Sequence, residues 1–518
     1  MTVPLPRLDR ALLRSGRLAG RAGLHLPDDS LLDRPERAVQ FGTGAFLRGF
    51  VESILDDANR RGTFRGRIVA VSSTGSGREM RWNEQDGLYT LVMHGGGRGP
   101  GAAAQETRDT RVIASVSRAL SAGEQWDEVL ACARAPELTL VFSNTTEVGI
   151  ALDERDTAEA APPRSFPGKL TCFLFERART FQFARDRGVV VLPCELIERN
   201  GDRLREIVLA LAHRWRLPGA FAQWIREAVP FCNTLVDRIV PGTPAPDERR
   251  RRWEALGCRD EMLTTCESYR LFAIEGDAAL RARLGFAEGD PSVIVRPDIV
   301  PFRERKVRLL NGTHSIMAPV ALLCGCETVG DAMRDRLIAA FVHRALFQEM
   351  VPSAPVPDAE AFARDVLERF ANPFIRHELA GITLQGTTKL RVRVVPSILG
   401  YAERTGEVPA ALAFGLAAYL LFMRGTLHEQ YRAAGRPLPA DDEAGRVRAR
   451  WDAQADEGGA ALHALARDAC ADDTLWGADL TRIPGFADAV AEHLVRAHRD
   501  GMRAALAALL RPAPAPRA

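Results

Sequence analysis

The stretch "ERAVQFGTGAFLRGFVESILDDANRRG", residues 36–62, joins an apolar strand, a Gly-x-Gly turn and an amphipathic helix. The strand is predicted over roughly residues 38–41, and the helix repeats apolar residues on one face from Phe46 to Leu55. A second apolar strand, "GRIVAVSS", follows at once. This order predicts a βαβ unit, and therefore parallel strands with helices packed against them.

The rest of the first half repeats this pattern. Two further apolar strands, within 137–150 and 188–201, each end in a polar loop. We therefore predict an α/β protein with a doubly wound, mainly parallel sheet covered on both faces. From about residue 300 strand patterns vanish and helical periodicity takes over. The predicted organisation is a leader over 1–35, a dinucleotide-binding domain over 36–290 and a mostly α-helical domain over 291–518.

Composition excludes several classes of partner. The 518 residues carry a net charge of only +2, so we expect neither nucleic acid nor an anionic membrane surface as a partner. The amino-terminal stretch has no apolar signal core, and no apolar run is long enough to span a membrane, which predicts a cytoplasmic protein. Nine irregularly spaced cysteines indicate reduced thiols, and no set of residues has the spacing of a metal site.

The glycine turn predicts a dinucleotide site. Gly42 and Gly44 allow a tight turn and a close approach of the backbone to a pyrophosphate, which then lies at the amino terminus of the next helix. Leu47 occupies the place of the usual third glycine. Gly-x-Gly alone is a weak signal, but the flanking strand and helix strengthen it. Arg48, one turn into the helix, is placed to reach the phosphates.

The end of the second strand, "VAVSSTGSGR", contains no acidic residue. An Asp or Glu there holds the ribose hydroxyls of NAD and repels the extra phosphate of NADP. On these grounds the identity of the cofactor stays open.

Lysine is almost absent from this chain, which has 66 arginines but only Lys169, Lys306 and Lys389. Arginine stays protonated near neutral pH, whereas a lysine can lose its proton and so act as a general acid or base. Lys306 begins "KVRLLNGTH", where Asn311 lies about 140° and His314 about 80° around an α-helix from Lys306. The three can surround a carbonyl group; an ordinary helix with a capping Asn and a core His is the alternative.

Two other stretches contain polar residues in unusual surroundings. Lys389 follows a Gln-Gly-Thr-Thr turn in "RFANPFIRHELAGITLQGTTKLRVR", residues 369–393, and is either a loop cation or an anchor for an anionic or polyhydroxy substrate. Asn233 and Asp237 interrupt the apolar run "CNTLVDRIVP", where Asp237 also has an arginine neighbour with which it can form an ion pair.

These stretches together resemble the long-chain polyol dehydrogenases, the mannitol dehydrogenase and uronate reductase family. The resemblance spans about residues 36–510 in order. The residues that carry it are "VQFGTGAFLRGFV", "QDGLYT", "LVFSNTTEVGI", "PCELIERNGD", "NTLVDRIV", "ERKVRLLNGTHS", "RFANPFIRHEL", "GTTKLRVR" and "DLTRIPGF". It implies a Rossmann-type amino-terminal domain and a mostly helical carboxyl-terminal domain.

The family pattern also implies roles for individual residues. Its signature of Lys, four residues, Asn, two residues and His falls on Lys306, Asn311 and His314, with the lysine as general acid or base and no metal. The implied substrate residues are Asn233, Asp237, Lys389 and Arg391. The implied residues for NAD, with NADP not excluded, are Phe41, Gly42, Thr43, Gly44, Ala45, Phe46, Leu47, Arg48, Asn144 and Thr145.

Two departures from mannitol dehydrogenases bear on the substrate. Leu196 stands where they have an asparagine, and Gly381 stands where they have an arginine. The uronate branch has similar changes, which implies a ketouronate substrate reduced to an aldonate, tagaturonate to altronate, with Lys389, Arg391 and Arg376 as candidates to hold its carboxylate. Reduction of fructuronate or of another polyol or sugar acid is the alternative within the family. A non-catalytic nucleotide-binding protein is the alternative outside it.

Overall fold

The chain forms two compact units, Met1–Ile299 and Val300–Ala518, referred to here as unit 1 and unit 2. A computed structural model describes residues 5–73, 77–95, 107–145, 149–373, 376–454 and 458–511. The strands of unit 1 are β1 (Leu24–His25), β2 (Glu36–Phe41), β3 (Arg67–Ser72), β4 (Tyr89–Gly95), β5 (Thr107–Ile113), β6 (Val116–Ser121), β7 (Leu140–Ser143), β8 (Val190–Pro193), β9 (Thr234–Asp237), β10 (Thr264–Glu267), β11 (Leu271–Glu275) and β12 (Val293–Arg296).

Helices of unit 1 connect these strands. They are α1 (Arg10–Arg14), α2 (Ala45–Leu47), α3 (Ser53–Arg61), α4 (Arg78–Asn83), α5 (Trp126–Arg134), α6 (Phe166–Thr180), α7 (Asn200–Arg214), α8 (Gly219–Ala228), α9 (Pro246–Leu256) and α10 (Ala278–Leu284). A π-helical turn, Arg48–Glu52, joins α2 to α3, and 3-10 turns occupy Asp29–Leu31 and Arg185–Arg187.

Unit 1 is built on a five-stranded parallel sheet with the order β6-β3-β2-β7-β8. Alternate residues of β2 enter two separate hydrophobic clusters: Ala38 packs on one face, and Val39 and Phe41 pack on the other. The predicted doubly wound sheet, covered on both faces, is thus confirmed. Because β3 and β7 lie on opposite sides of β2, the strand order reverses at β2, which is where ligands bind in such sheets.

Two smaller sheets complete unit 1. One has the order β1-β5-β4-β10 and the other β12-β11-β9, each with parallel and antiparallel pairs. The segment predicted as a leader is part of unit 1, since β1 pairs with β5 and Leu8, Leu12 and Leu31 are buried. The unit ends at Ile299 rather than at residue 290, because β12 pairs with β11.

The described part of unit 2 is helical, as predicted. Its helices are α11 (Val300–Arg305), α12 (Gly312–Leu323), α13 (Val329–Arg334), α14 (Arg336–His343), α15 (Val351–Ser353), α16 (Ala359–Phe370), α17 (Leu379–Ile382), α18 (Gly386–Arg393), α19 (Val395–Thr405), α20 (Ala410–Met423), α21 (Thr426–Ala433), α22 (Ala444–Asp452), α23 (Gly459–Ala471), α24 (Asp473–Trp476), α25 (Phe486–Asp500) and α26 (Met502–Leu509). π-Helical turns occupy Lys306–Asn311 and Arg344–Met350, and a 3-10 turn occupies Leu480–Arg482.

The apolar helix α20 lies in the interior of unit 2, with twelve of its fourteen residues buried. Within the described ranges no single helix has the length and apolar character needed to cross a membrane. Only α20 and α21 taken together reach that length and composition, and the chain bends by 53° between them.

Candidate active site

The glycine turn lies at the carboxyl end of β2, where the strand order reverses. Gly42 has φ +129°, and a Cβ on it would lie 2.7 Å from the backbone oxygen of Asn144. Its N–H donates to the carbonyl of Val71 (2.9 Å), so the turn is fixed against both neighbouring strands. A side chain here would meet both unfavourable backbone angles and a backbone atom, which is why the position requires glycine.

The next glycine serves a different purpose. Gly44 has φ −70° and precedes α2, and a Cβ on it would meet nothing within 4 Å. The space above this residue is therefore open, as a pyrophosphate at a helix amino terminus would need. Leu47, in the place of the usual third glycine, is fully buried, and its side chain packs beneath Gly42. Thr43 and Ala45 complete the turn, and Phe46 stacks on Phe50 with ring centroids 5.0 Å apart.

Arg48 does not point to the open side of the turn, where the sequence placed it. Its side chain is buried, and its Nε donates to the hydroxyl of Thr264 (2.8 Å). Its Nη1 donates to the carbonyl of Thr43 (3.0 Å), and the guanidinium lies 5.9 Å from the ring centroid of Trp82. The N–H of Arg48 bonds to the carbonyl of Gly44, four residues earlier as in a regular helix (3.5 Å), and the bond to Thr264 holds the side chain inward. Arg48 therefore supports the glycine turn from below instead of reaching towards a phosphate.

A buried glutamate positions the loop after β7, and sequence reasoning missed it. The two carboxylate oxygens of Glu195 accept from the hydroxyl of Ser143 and from the N–H and hydroxyl of Thr145, each at 3.0 Å. Asn144 lies between these two and donates to the carbonyl of Cys194 (2.9 Å). Burial raises the pKa of Glu195, while these hydrogen bonds oppose the shift. The only sequence signal was an acidic residue two positions after the end of the apolar strand β8.

Beside this loop is a cavity of about 620 Å³, lined in part by Ser73, Thr145, Phe166 and Lys169. Lys169 is 4% exposed, and its Nζ donates to the carbonyl of Arg164 (2.7 Å). Burial lowers the pKa of Lys169. Three features fit a dinucleotide: the open space above Gly44, the tight turn that requires glycine at Gly42, and the adjoining cavity. The residues present therefore agree with a cofactor of the NAD type.

In unit 2, Lys306 and Asn311 lie in a π-helical turn and not in a regular α-helix. The N–H of Gly312 bonds to the carbonyl of Val307, five residues earlier. In a π-helix residues five apart follow one another along one side. Lys306 and Asn311 are five apart, so they share a face, whereas the α-helix assumed from sequence separates them by about 140°. His314 follows Asn311 by three residues in α12, which makes the two neighbours on the helix surface.

The imidazole of His314 is held between rings. Phe370 stacks on it with centroids 4.0 Å apart and an interplanar angle of 15°, and His377 meets its edge at 4.9 Å. His314 is 6% exposed, and its Nε2 has no hydrogen-bond partner. Burial holds the pKa of His314 well below its ordinary value, so the ring is neutral at neutral pH. A buried nitrogen without a partner is available to a bound substrate.

Lys389, the second lysine of unit 2, lies in helix α18. It does not lie in a loop, which was one of the two interpretations of its sequence. Its Nζ donates to the carbonyl of Ile382 (3.0 Å). Arg391 lies about 200° around α18 from Lys389, and donates to the carbonyl of Thr474 (2.8 Å). Arg393 follows Lys389 by four residues and shares its face of the helix. The structure thus groups Lys389 with Arg393 and places Arg391 on the opposite side.

The remaining candidates are in unit 1. Asn233 is 6% exposed and donates to a carboxylate oxygen of Asp202 (2.8 Å), while its own oxygen accepts the Asp202 N–H (3.1 Å). Asp237, the last residue of β9, is also buried. Over the described part of the chain, no three His, Cys, Asp or Glu side chains are grouped as metal ligands.

Comparison with known families agrees with this architecture. A model of the mannitol dehydrogenase Rossmann domain matches residues 36–287, and a model of the mannitol dehydrogenase C-terminal domain matches residues 298–497. The chain belongs to the mannitol dehydrogenase family. It is therefore an oxidoreductase, and the family expected from the sequence is confirmed.

Members of the mannitol dehydrogenase family from enteric bacteria are similar over nearly the whole chain. An altronate oxidoreductase of Yersinia enterocolitica is 42% identical over 479 residues, which is 92% of this chain and 97% of that protein. An altronate oxidoreductase of Escherichia coli is 41% identical and covers 91% of this chain and 96% of its own length.

Solved structures from the mannitol dehydrogenase family share the fold. The Pseudomonas fluorescens mannitol 2-dehydrogenase, solved as a ternary complex with NAD and D-mannitol, has a TM-score of 0.72 at 22% identity, covering 98% of this chain and 100% of that one. A D-sorbitol dehydrogenase in substrate-free form has a TM-score of 0.76 at 22% identity, covering 96% of this chain and 100% of that one.

Proposed function

We propose that this protein is an altronate oxidoreductase that reduces tagaturonate to altronate with NADH, and runs the reverse reaction with NAD. The substrate follows from relatives of that name that are 41–42% identical over more than nine tenths of the chain. The observation that carries the chemistry is the π-helical turn, which puts Lys306 and Asn311 on one face beside His314.

Each of these side chains has a distinct part in the proposed mechanism. Lys306 donates its proton to the ketone oxygen as that oxygen becomes a hydroxyl, and takes it back in the oxidation direction. The amide N–H of Asn311 donates to the same oxygen and stabilises the negative charge that develops on it. The neutral imidazole of His314 orients the substrate through Nε2, and Phe370 fixes the plane of the ring.

The cofactor binds, in this proposal, at the carboxyl edge of the parallel sheet in unit 1. The turn from Phe41 to Leu47 approaches the pyrophosphate, and Asn144 and Thr145 form the neighbouring wall. When bound, the reduced nicotinamide supplies a hydride to the ketone carbon. We propose NAD as the physiological cofactor. Ser72 and Ser73 lack the charge that would exclude NADP, so NADPH is expected to bind measurably.

The test is the rate of NADH oxidation with tagaturonate and, separately, with fructuronate, for the wild type, Lys306→Ala and Lys306→Arg. Loss of a general acid is expected to lower kcat by about a hundredfold or more. Lys306→Arg is the matched variant, because arginine keeps the charge but cannot donate a proton near neutral pH. Both variants should therefore be slow.

The outcomes separate substrate from mechanism. Preference for fructuronate over tagaturonate would replace the proposed substrate and leave Lys306 in its role. Full activity of Lys306→Arg would mean that this position supplies charge and not a proton. Binding of NADH without turnover of either ketouronate would favour a non-catalytic nucleotide-binding protein.

A further inference from the structure

Three positive side chains lie near His314, on two helices of unit 2. After burial, the four groups with the largest effect on its pKa all lower that pKa: His377, Arg369, Arg393 and Lys389. They come from the end of α16, the segment after it and one face of α18. The electrostatic potential at the imidazole is therefore positive, and this region favours an anion.

The helix α18 comes close enough to α12 to bring its arginine to the site. A Cβ on Gly312 would lie 2.9 Å from the backbone oxygen of Arg393, so glycine permits this approach. The Nη1 of Arg393 lies 3.4 Å from the hydroxyl of Ser315, the residue directly after His314. Arg393 also shares the face of α18 that carries Lys389.

The end of α16 supplies the second arginine. Arg369 is 7% exposed and directly precedes Phe370, whose ring stacks on His314. Arg369 also lowers the pKa of His377, after the effect of burial. The rings of His314 and His377 are 4.9 Å apart, and both arginines act electrostatically on His314, whose Nε2 has no hydrogen-bond partner.

We propose that Arg369 and Arg393, with His377 beside them, form the subsite that holds the carboxylate of the sugar acid. The proposal rests on the proposed function, since it assigns the carboxylate end of the same substrate whose ketone meets Lys306. Guanidinium groups form charge-assisted, often bidentate hydrogen bonds to a carboxylate, and such bonds are strongest where solvent is excluded. A neutral ketohexose of the same shape gains nothing from them.

This assignment replaces the two arginines that the sequence suggested. Arg391 bonds to the carbonyl of Thr474 on the other side of α18. Arg376 is 71% exposed and forms an ion pair with Glu378 at 2.6 Å. Neither side chain faces His314 in the described structure.

The experiment compares Arg369→Met and Arg393→Met with Arg364→Met as the matched control. Arg364 lies on the same helix as Arg369, but is exposed and pairs with Glu360. Each variant is assayed with tagaturonate and with tagatose, its neutral ketohexose counterpart. Loss of one charge-assisted contact is expected to raise KM for tagaturonate by about tenfold to a hundredfold, with kcat/KM for tagatose unchanged. Arg393→Lys is expected to lie between the wild type and Arg393→Met.

A binding measurement keeps the inference separate from the proposed activity. Calorimetry of altronate and of its uncharged alditol, with the wild type, the same variants and Arg391→Met, needs no turnover. Weaker binding of altronate alone supports the subsite, even if the wild type reduces no ketouronate and the proposed function fails. Equal losses for the charged and the neutral ligand, or a loss confined to Arg391→Met, would overturn it.

Discussion

The helix after the glycine turn in unit 1 and the helix that carries Lys306 in unit 2 are both interrupted by a π-helical turn. In unit 1 this turn begins at Arg48, whose buried side chain supports the backbone of Thr43. In unit 2 the turn itself supplies Lys306 and Asn311. The proposed cofactor site is thus formed mainly by main-chain atoms, and the proposed substrate site by side chains.

Each kind of site leaves a different trace in the sequence. A main-chain site is visible as glycines at fixed positions, because only glycine tolerates the angles and the close approach. A side-chain site is visible as a set of residue types, but their spacing has meaning only when the local helix is known. Substitutions at the two proposed sites should therefore have different effects on stability, cofactor binding and kcat.

The largest effect is expected from Gly42→Ala. Its φ of +129° and the 2.7 Å approach of a Cβ to the Asn144 oxygen should cost about 3 to 5 kcal/mol in strain and overpacking. We expect a lower melting temperature together with loss of NADH binding, measured by calorimetry and by fluorescence titration.

Two other glycines control this result. Gly44→Ala places its Cβ in open space, so it should weaken NADH binding without a change in melting temperature. Gly123→Ala, which also meets nothing within 4 Å, should change neither. Equal melting temperatures for Gly42→Ala and Gly44→Ala would show that the backbone does not require glycine at position 42 more than at position 44.

The next largest effect is expected from Asn311→Ala in the other unit. Removal of a donor to a developing oxyanion should lower kcat by about a hundredfold, with little change in melting temperature. The matched control is Asn59→Ala in α3, whose side chain bonds only to the nearby backbone and to Arg34. That variant should lose stability but keep kcat at a permissive temperature. If Asn311→Ala unfolds as readily as Asn59→Ala, the asparagine of the π-helical turn is structural.

The smallest effect concerns two buried glutamates, each of which lies in a π-helical turn. Glu52 ends the π-helical turn of unit 1, and Glu349 lies in a second such turn of unit 2. Burial raises the pKa of each to about 7 from an ordinary value of 4.5. A folded-state pKa above the unfolded one gives stability that is present below pH 4.5 and is lost as pH rises through about 7, by about 3 kcal/mol per group.

Glu52 and Glu349 have different hydrogen-bond partners, so we expect their glutamine variants to differ in stability. One Glu52 oxygen accepts from Gln40 (2.8 Å) and the other has no partner, so Glu52→Gln should raise the melting temperature at pH 8. Glu349 accepts two N–H groups at the start of α20, and a glutamine has one oxygen for both, so Glu349→Gln should gain less. The exposed Glu368→Gln is the control. Identical pH profiles for the wild type and Glu52→Gln would contradict the prediction.

Sequence reasoning predicted the parallel sheet, the glycine turn and the helical second unit, because each depends on a local pattern. The alternation in β2 places Ala38 and Val39 on opposite faces, and the positive φ of Gly42 requires glycine. Both signals are present in the local sequence, although the close approach of the Asn144 oxygen to Gly42 is a tertiary contact.

The same reasoning missed features that depend on tertiary packing. It placed Arg48 towards the phosphates, whereas the side chain bonds inward to Thr264, which is 216 residues away in the sequence. It overlooked Arg369, His377 and Arg393, which only the packing of α16 and α18 around His314 brings together. A partial signal was present, since Asn372-Pro373 marks the end of the helix that carries Arg369.

A π-helical turn holds one residue more than the α-helical turn that it replaces. Deleting Val307 would close the π-helical turn into a regular helix, in which Lys306 would precede the asparagine by four residues and the histidine by seven. Residues at these spacings share one face of an α-helix, at about 40° and about 20° from Lys306. Deleting Thr313, in the regular helix α12, would instead rotate Lys306 and Asn311 by about 100° relative to His314. This segment can therefore lose a residue within the π-helical turn and keep the three side chains on one face, but it cannot lose one within the regular helix that follows.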